Sequence, residues 1–342
     1  MQNKKGTIII FSTAYLPFLG GAETAIKGIT DNIDSFGFIL LTARLAKGLP
    51  KFERSGNLII YRLGLGSPLD KFFLPFLSFF KVLALRKSAQ KPILFWGMMA
   101  SYGSIGAMLL KIFFNNIPFL LTIQEGNKEW KRNRFWWKLI LRKTDYVTAL
   151  SSFLLQKIRD TGFSGKATII PNGVELARFR NPNPGVESGK KIISVSRRVH
   201  KNGIDVLESA FEIIQKNFPD AELEIASDVS YSEIPKHLRS ANVFVRPSRS
   251  EGLGTAFLEA MAAGLPVIAT QVGGIPDFLK DGETGLFVKV DDPLDLAVKI
   301  EMLFNDPVLC QKLSINGLSL VEERYQWSKI GADMERIFSS VI

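Results

Sequence analysis

The stretch from Ser248 to Thr270 constrains the fold of this chain most, because it contains a loop, a helix, a turn and a buried strand in direct succession. The turn Glu251–Gly254 carries two glycines, apolar side chains at helical spacing follow it, and a short apolar run at the end predicts a strand. Glycines let backbone N–H groups approach a ligand closely, and a helix that begins near Thr255 directs its positive dipole end at the same place. The stretch therefore predicts a site for an anion, most often a phosphate.

Two glutamates flank this turn. Glu251 comes just before the glycines and Glu259 lies one turn into the helix, so both can face one pocket. Carboxylates accept hydrogen bonds from sugar hydroxyls, and phosphate-binding groups beside such carboxylates describe a nucleotide-sugar pocket. The alternative interpretation is an ordinary turn, helix and strand of a Rossmann-like domain, with both glutamates in solvent.

The spacing E-x7-E with an internal Gly-Leu-Gly resembles the signature of the retaining family 4 glycosyltransferases. The resemblance implies an α/β chain with the GT-B fold, in which two Rossmann-like domains face each other across a cleft and a C-terminal helix crosses back to the first domain. It implies an acceptor domain over 1–175, a linker over 176–190, a shortened donor domain over 191–322 and the returning helix over 323–342.

Composition excludes several classes of protein. A chain of 342 residues predicts two domains of roughly 150–180 residues each. The single Cys310 excludes an intramolecular disulfide framework, and the presence of only two histidines argues against a zinc enzyme. No apolar run reaches the ~18 residues of a membrane span, and the N-terminus lacks a signal-peptide pattern. We expect a cytoplasmic protein, either soluble or peripheral on the inner face of the cell membrane.

Charge is distributed unevenly along the chain. Residues 1–180 contain 26 Lys and Arg against 10 Asp and Glu, whereas residues 181–342 contain 17 against 23. The basic half predicts an anionic partner, which is nucleic acid or an anionic membrane surface. Two basic segments rich in aromatic residues, 67–91 and 128–143, are either membrane-surface helices or amphipathic helices packed on the sheet. Nucleic acid is the weaker alternative, since no nucleic-acid-binding module accompanies the charge.

A glycine loop follows the first predicted strand, Gly6–Ser12, but does not come directly after it. The pattern G-x-G-x-x-G is missing after this strand, which argues against a nicotinamide cofactor. Gly20, Gly21 and Glu23 instead lie in a Gly-Gly-Ala-Glu loop that resembles the family's loop between donor phosphate and acceptor. The resemblance implies that the two glycines bind the donor and that Glu23 binds the acceptor. The alternative is a tight turn with no ligand.

Polar residues end the predicted strand Ile117–Ile123, at the edge of a parallel sheet where ligands bind. Gln124 occupies the position where relatives commonly have a histidine near the reacting centre, and the resemblance makes it a catalytic candidate. A glutamine can donate a hydrogen bond to a hydroxyl but cannot become an imidazolium. The next residue, Glu125, is a weaker candidate for acceptor binding.

The second half begins with the predicted strand Lys191–Ser196 and a basic loop. Arg197 and Lys201 match the family pattern G-R-x-x-x-K-G, although Ser196 replaces the first glycine and Asn202 is one extra residue. The resemblance places both cations on the donor diphosphate, where they would stabilise the charge that develops as the glycosyl bond breaks. The alternative is two solvated side chains.

The donor half also departs from the family after the predicted strand Glu222–Ala226. Roughly 25 residues that would form a glycine-rich loop, a helix and a strand are missing around Ser227. In relatives the lost loop lies beside the nucleotide base, so the departure bears on base selectivity and donor affinity.

Together these matches imply a metal-independent, retaining hexosyltransferase without a cofactor. Its donor would be a UDP- or GDP-sugar and its acceptor a glycan or lipid-linked sugar in surface polysaccharide or glycolipid synthesis. Glu259 would hold the ribose hydroxyls, Glu251 the donor sugar, and the turn from Gly252 through Leu253 and Gly254 to Thr255 would offer its N–H groups. Two alternatives remain: a GT-B epimerase or phosphorylase, and a relative that binds nucleotide sugars without turnover.

Overall fold

The computed structural model describes residues 4–18, 20–86, 91–124, 134–181 and 189–342. The chain forms two compact units. Unit 1 consists of Met1–Asn172 together with Trp327–Ile342, and unit 2 consists of Gly173–Gln326.

Unit 1 is built on a mostly parallel sheet. Its strands are β1 Thr7–Phe11, β2 Gly37–Ala43, β3 Phe52–Ser55, β4 Leu58–Leu63, β5 Ile93–Met98, β6 Phe119–Ile123, β7 Tyr146–Ala149 and β8 Lys166–Ile169. They lie in the order β3-β4-β2-β1-β5-β6-β7-β8, and β3 pairs antiparallel with β4. Every residue of the central strands β1, β5 and β6 is buried, as expected for a parallel sheet covered on both faces.

Helices connect these strands, and one of them presents apolar side chains on two faces. The helices are α1 Gly21–Asp31, α2 Asp70–Leu85, α3 Tyr102–Phe113, α4 Arg134–Lys143 and α5 Ser152–Arg159. One face of α2 is buried and packs on α3, whereas most of its aromatic residues are exposed. Within the described ranges, no helix combines the length and the apolar content needed to cross a bilayer.

Unit 2 is a second, smaller α/β unit. Its strands are β9 Lys191–Val195, β10 Glu222–Ala226, β11 Val243–Arg246, β12 Val267–Thr270 and β13 Leu286–Val288, all parallel and in the order β10-β9-β11-β12-β13. Its helices are α6 Leu176–Phe179, α7 Ile204–Asn217, α8 Ile234–Arg239, α9 Thr255–Ala262, α10 Pro293–Asn305 and α11 Pro307–Arg324. A mixed core of strand and helix residues, including Ile192, Leu207 and Leu296, holds these layers together.

The segment predicted to be shortened follows β10, the edge strand of the unit 2 sheet. Only turns and bends connect Ala226 to α8, and residues 189–342 contain no further strand beside β10. The predicted linker 176–190 begins with α6, whose Phe179 is fully buried, and 182–188 lie outside the described residues.

The last helix, α12 Trp327–Val341, belongs to the core of unit 1. Phe338 packs edge-on against Trp96, with ring centroids 5.2 Å apart, and also contacts Phe36 and Phe38. A Cβ on Gly28 of α1 would lie 2.3 Å from the Trp327 ring, so α1 and α12 approach each other closely. The predicted return of a C-terminal helix to the first domain is confirmed, although residues 323 and 324 still belong to α11.

Candidate functional site

The loop between β9 and α7 presents the two predicted cations. Arg197 and Lys201 are exposed, and neither side chain has a bonding partner among the described residues. Asn202 beneath them is only 3% exposed, and its Nδ2 donates to the Arg197 carbonyl at 2.9 Å. The Arg249 N–H donates to the Lys201 carbonyl at 2.8 Å. The loop is thus held through its backbone, which leaves both cationic side chains available to a ligand.

Gly203 brings this loop close to the end of β11. Its φ of 69° lies in the left-handed region, and a Cβ there would lie 2.0 Å from the Pro247 carbonyl oxygen. Any side chain would therefore be strained and would push the loop away from its neighbour. The glycine that ends the predicted motif thus fixes the distance between the cationic loop and β11.

Arg249 secures the outer side of the same loop. Its guanidinium pairs with Asp205 and with Asp291, each at 2.6 Å, and donates to the His200 carbonyl at 2.6 Å. The hydrogen bonds from Arg249 lower the pKa of the Asp205 carboxyl, and the same bonds raise the pKa of Arg249. Both groups are therefore charged at neutral pH, and Arg249 is occupied in holding the loop.

The predicted turn Glu251–Gly254 rests against a second glycine turn. Gly273 has a φ of 59°, and a Cβ there would lie 1.8 Å from the Glu251 carbonyl oxygen. α9 begins directly after the turn, and its N-cap Gly254 supplies no side chain to bond the first N–H groups. The positive end of the helix dipole is therefore left for a ligand, as the sequence predicts for this stretch.

Arg246, at the end of β11, connects the cationic loop to this turn and was missed by the sequence reasoning. Its side chain is 11% exposed. It donates to Glu251 Oε2 at 2.5 Å and to Asn202 Oδ1 at 3.2 Å. The other Glu251 oxygen accepts from the Gly252 N–H at 3.2 Å. The only signal in the sequence is a lone arginine that ends the apolar strand VFVR.

Glu259 is a buried carboxyl with one oxygen already occupied. It is 7% exposed, and its Oε1 accepts a hydrogen bond from the Tyr231 hydroxyl at 2.9 Å. Its Oε2 has no partner among the described residues. Burial raises the pKa of Glu259 to about 7, although the Tyr231 hydroxyl and the charges of Arg178 and Arg246 oppose this shift.

Tyr231 comes from the shortened segment after β10 and was also missed from the sequence. The Arg178 guanidinium lies 4.3 Å from the centroid of its ring, and the Phe179 ring lies 5.9 Å away. Arg178 also donates to the Tyr231 carbonyl at 2.8 Å. Burial raises the pKa of the Tyr231 hydroxyl, with the Glu259 charge adding to the effect. The hydroxyl therefore remains a hydrogen-bond donor at all ordinary pH values.

Unit 1 gathers its predicted residues at the carboxyl ends of its strands. A Cβ on Gly21 would lie 3.1 Å from Gln124 Oε1. The side-chain amides of Gln124 and Asn172 are buried and exchange two long hydrogen bonds of 3.4 Å. Asn172 was missed as a site residue. Gly20 caps α1 and Glu23 is half-buried in its first turn, whereas Glu125 lies outside the described residues.

Other features do not compete with these two groups of residues. The described part of the chain holds no cluster of three or more His, Cys, Asp or Glu residues that suits a metal ion. A pocket of about 420 Å³ in unit 1 is lined by residues of α4, such as Lys138 and Arg142, and by the turn after α5. It contains none of the catalytic, donor-binding or acceptor-binding candidates predicted from the sequence.

Two family models match the chain. The model described as Glycosyltransferase Family 4 matches residues 19–178, and that described as Glycosyl transferases group 1 matches residues 225–319. The first match contains Gln124 and the second contains Glu251 and Glu259. Arg197 and Lys201 lie outside both, so their assignment rests on the sequence and geometry of their loop.

Two proteins of related sequence and one solved structure are similar to this chain. An uncharacterized glycosyltransferase of Methanocaldococcus jannaschii is 24% identical over 97% of this chain and 98% of its own length. The GDP-mannose-dependent alpha-(1-6)-phosphatidylinositol monomannoside mannosyltransferase of Mycolicibacterium smegmatis is 28% identical over 57% of this chain and 62% of its own length. Sucrose-phosphate synthase from Thermosynechococcus elongatus matches 98% of this chain and 99% of its own with a TM-score of 0.81 at 20% identity. The chain therefore belongs to the family 4 glycosyltransferases and has the GT-B fold.

Proposed function

We propose that this glycosyltransferase moves a hexosyl unit from a UDP- or GDP-sugar to a glycan or lipid-linked acceptor, with retention of anomeric configuration. One arrangement in unit 2 supports the donor class. Arg197 and Lys201, whose side chains have no bonding partner in the described part of the chain, share the end of the sheet with the N-terminus of α9, which has no side-chain cap, and with the buried carboxyl of Glu259. Cations and N–H groups suit a diphosphate, and a carboxylate suits ribose hydroxyls.

In the proposed reaction the bond between the anomeric carbon and the diphosphate oxygen breaks, and a bond to the acceptor oxygen forms on the same face. The acceptor proton passes to the leaving diphosphate, which therefore acts as the base. Arg197 and Lys201 stabilise the negative charge on the diphosphate, so fixed cations perform the task that a divalent metal performs elsewhere. Glu251, oriented by Arg246, holds a donor-sugar hydroxyl.

We further propose an anionic membrane surface as the place where unit 1 meets its acceptor. The outward face of α2 carries exposed aromatic side chains, among them Phe73, Phe76 and Phe80, and residues 67–91 contain five Lys and Arg against a single acid. Cations meet anionic headgroups while aromatic rings enter the interface. The mycobacterial relative, whose name specifies a phosphatidylinositol mannoside, supports a lipid-linked acceptor.

Thermal unfolding with UDP, GDP, ADP, CMP and TDP in the presence of EDTA tests the donor site. One nucleotide at ~100 times its dissociation constant stabilises the folded chain by about 2.7 kcal/mol. Lys201→Ala and Glu259→Ala should abolish the shift. Lys216→Ala is the matched control, because it removes an exposed charge from the far end of α7. The absence of a shift with every nucleotide would contradict the proposal.

Turnover separates the proposed transferase from the two alternatives. Incubation of the matching nucleotide sugar with an acceptor lipid extract in EDTA should release the nucleoside diphosphate, and proton NMR of the product should show the donor's anomeric configuration. Nucleotide binding without turnover of the sugars tested would favour the non-catalytic alternative. An inverted product would contradict retention, and activity only after addition of Mg²⁺ or Mn²⁺ would contradict metal independence.

A further inference from the structure

We infer that the Tyr231 hydroxyl takes the place of one ribose hydroxyl at Glu259, so that the donor site recognises a single hydroxyl of the ribose. This inference rests on the proposed function, because it assumes that Glu259 is the ribose acceptor. It extends the donor class to deoxyribonucleoside diphosphate sugars, which lack one of the two hydroxyls.

Glu259 has one carboxylate oxygen without a partner among the described residues. A carboxylate can hold the two hydroxyls of a ribose by using one oxygen for each. In this chain Oε1 is bonded to the Tyr231 hydroxyl at 2.9 Å, and Oε2 alone has no partner among the described residues. Because the side chain is 7% exposed and Oε1 already accepts from Tyr231, we expect a ligand hydroxyl to bond to Oε2.

Two neighbouring residues, Arg178 and Phe179, hold Tyr231 in place. Arg178 contacts it twice, through the face of the ring at 4.3 Å and through a hydrogen bond to its carbonyl at 2.8 Å. The Phe179 ring packs beside it with centroids 5.9 Å apart. Both partners belong to α6, which packs on α9, the helix that carries Glu259. Moving the hydroxyl away from Glu259 would therefore break contacts to a second helix.

The position of Tyr231 depends on the short connection after β10. Tyr231 lies in the segment of turns that directly connects β10 to α8. The sequence predicts that a glycine-rich loop, a helix and a strand are missing at this point. The direct connection between β10 and α8 places the tyrosine against Glu259, at the point where the sequence predicts the shortening.

The test compares the nucleoside diphosphate that binds best with its 2′-deoxy and 3′-deoxy forms, by calorimetry on the full chain. In the wild type we expect one deoxy form to bind within ~3-fold of the parent and the other at least ~10-fold more weakly, since tenfold corresponds to about 1.4 kcal/mol. Loss of at least ~10-fold with both forms would overturn the inference, because Glu259 would then hold both hydroxyls.

Tyr231→Phe provides an independent test, since it keeps the ring and frees Oε1. The parent nucleotide should then bind ~3–10-fold more tightly, and the tolerated deoxy form should become discriminated by a similar factor. Tyr325→Phe, which removes another largely buried hydroxyl of unit 2, should change neither value. An unchanged ratio in Tyr231→Phe would overturn the inference. If no nucleotide binds the wild type, the proposed donor site fails and the inference fails with it.

Discussion

At the scale of single residues, Glu259 is a group whose protonation couples the fold to pH. Its pKa is about 7 in the folded chain, against 4.5 for an unperturbed glutamate. A carboxyl with a raised pKa stabilises the folded state most when it is protonated in both states, below the unfolded pKa. This contribution is lost as pH rises from about 4.5 through 7 and is fully absent above that range.

We therefore expect Glu259→Gln to gain stability relative to the wild type as pH rises. Glutamine keeps the oxygen that accepts from Tyr231 but cannot ionise, so it escapes the cost of a buried charge. Urea unfolding at pH 5 and pH 8 should show the difference between variant and wild type growing by roughly 2 kcal/mol in favour of the variant. A difference that is constant over this pH range would show that Glu259 does not titrate with a raised pKa.

The buried Asn202 carries a second prediction at this scale. Asn202→Ala removes the bond to the Arg197 carbonyl and the acceptor for Arg246, so it should cost about 1–3 kcal/mol of stability and weaken nucleotide binding at least ~10-fold. Asn242→Ala is the control, because the Asn242 side chain also bonds a backbone group, accepting from the Lys191 N–H, but lies outside the cationic loop. Equal effects of both variants on nucleotide binding would refute a specific role for Asn202.

The site candidates that the sequence predicted belong to local patterns, whereas those that it missed depend on contacts between distant residues. Arg197, Lys201 and Glu259 stand at fixed spacings within one loop or one helix, so a local pattern is enough to find them. Arg246 and Tyr231 act through partners that are distant along the chain, and nothing beside them in the sequence indicates those contacts. Such contacts between distant segments can be identified only once the order of the strands in the sheet is known.

At the scale of elements, α2 presents apolar side chains both to the interior of unit 1 and to solvent. Its Leu74 and Val82 are fully buried, whereas Phe73, Phe76 and Phe80 on the other face are more than half exposed. A helix that is apolar around most of its surface is ordinarily buried on all sides. The exposed rings follow the three- and four-residue spacing of one helical face, which is the geometry of a binding surface.

We expect the double variant Phe76→Ser and Phe80→Ser to lose at least ~10-fold in binding to vesicles that contain anionic lipid, measured by co-sedimentation at low salt. Stability should change little, because both rings are exposed. Ile315→Ser, an exposed apolar position on α11 of unit 2, is the control. Equal vesicle binding by all three proteins would exclude this face as the membrane contact, and concentration-dependent dimers in light scattering would assign it to a second copy.

Strands were predictable from the sequence where burial on both faces of the sheet requires a continuous run of apolar residues. Apolar runs predicted β1, β6 and β9 almost to their ends, and the bounds of β10 agree with the predicted strand Glu222–Ala226. The antiparallel edge strand β3 was missed, because its residues Phe52–Ser55 are mostly exposed and polar. The three-residue strand β13 is too short to show a period.

At the scale of the whole molecule, the chain returns to unit 1 after completing unit 2. Phe338 on α12 is fully buried and packs against the aromatic rings of Phe36, Phe38 and Trp96 in unit 1. We expect Phe338→Ala to destabilise unit 1 by about 3–5 kcal/mol, measured by urea unfolding of the full chain. Phe113→Ala, at an exposed ring of the same unit, should cost far less. Similar losses for the two variants would show that α12 is not part of the unit 1 core.

The return of α12 also sets an order of events on the ribosome. Unit 2 is one continuous segment of the chain. The core of unit 1, by contrast, lacks Trp327, Met334 and Phe338 until residues 327–342 have been translated. At roughly 5–20 residues per second, synthesis of the intervening segment takes about 10–30 s. Throughout that interval, unit 1 exposes the apolar surface that α12 later covers. Limited proteolysis of ribosome-bound chains should therefore find unit 2 protected before unit 1, although unit 1 is made first.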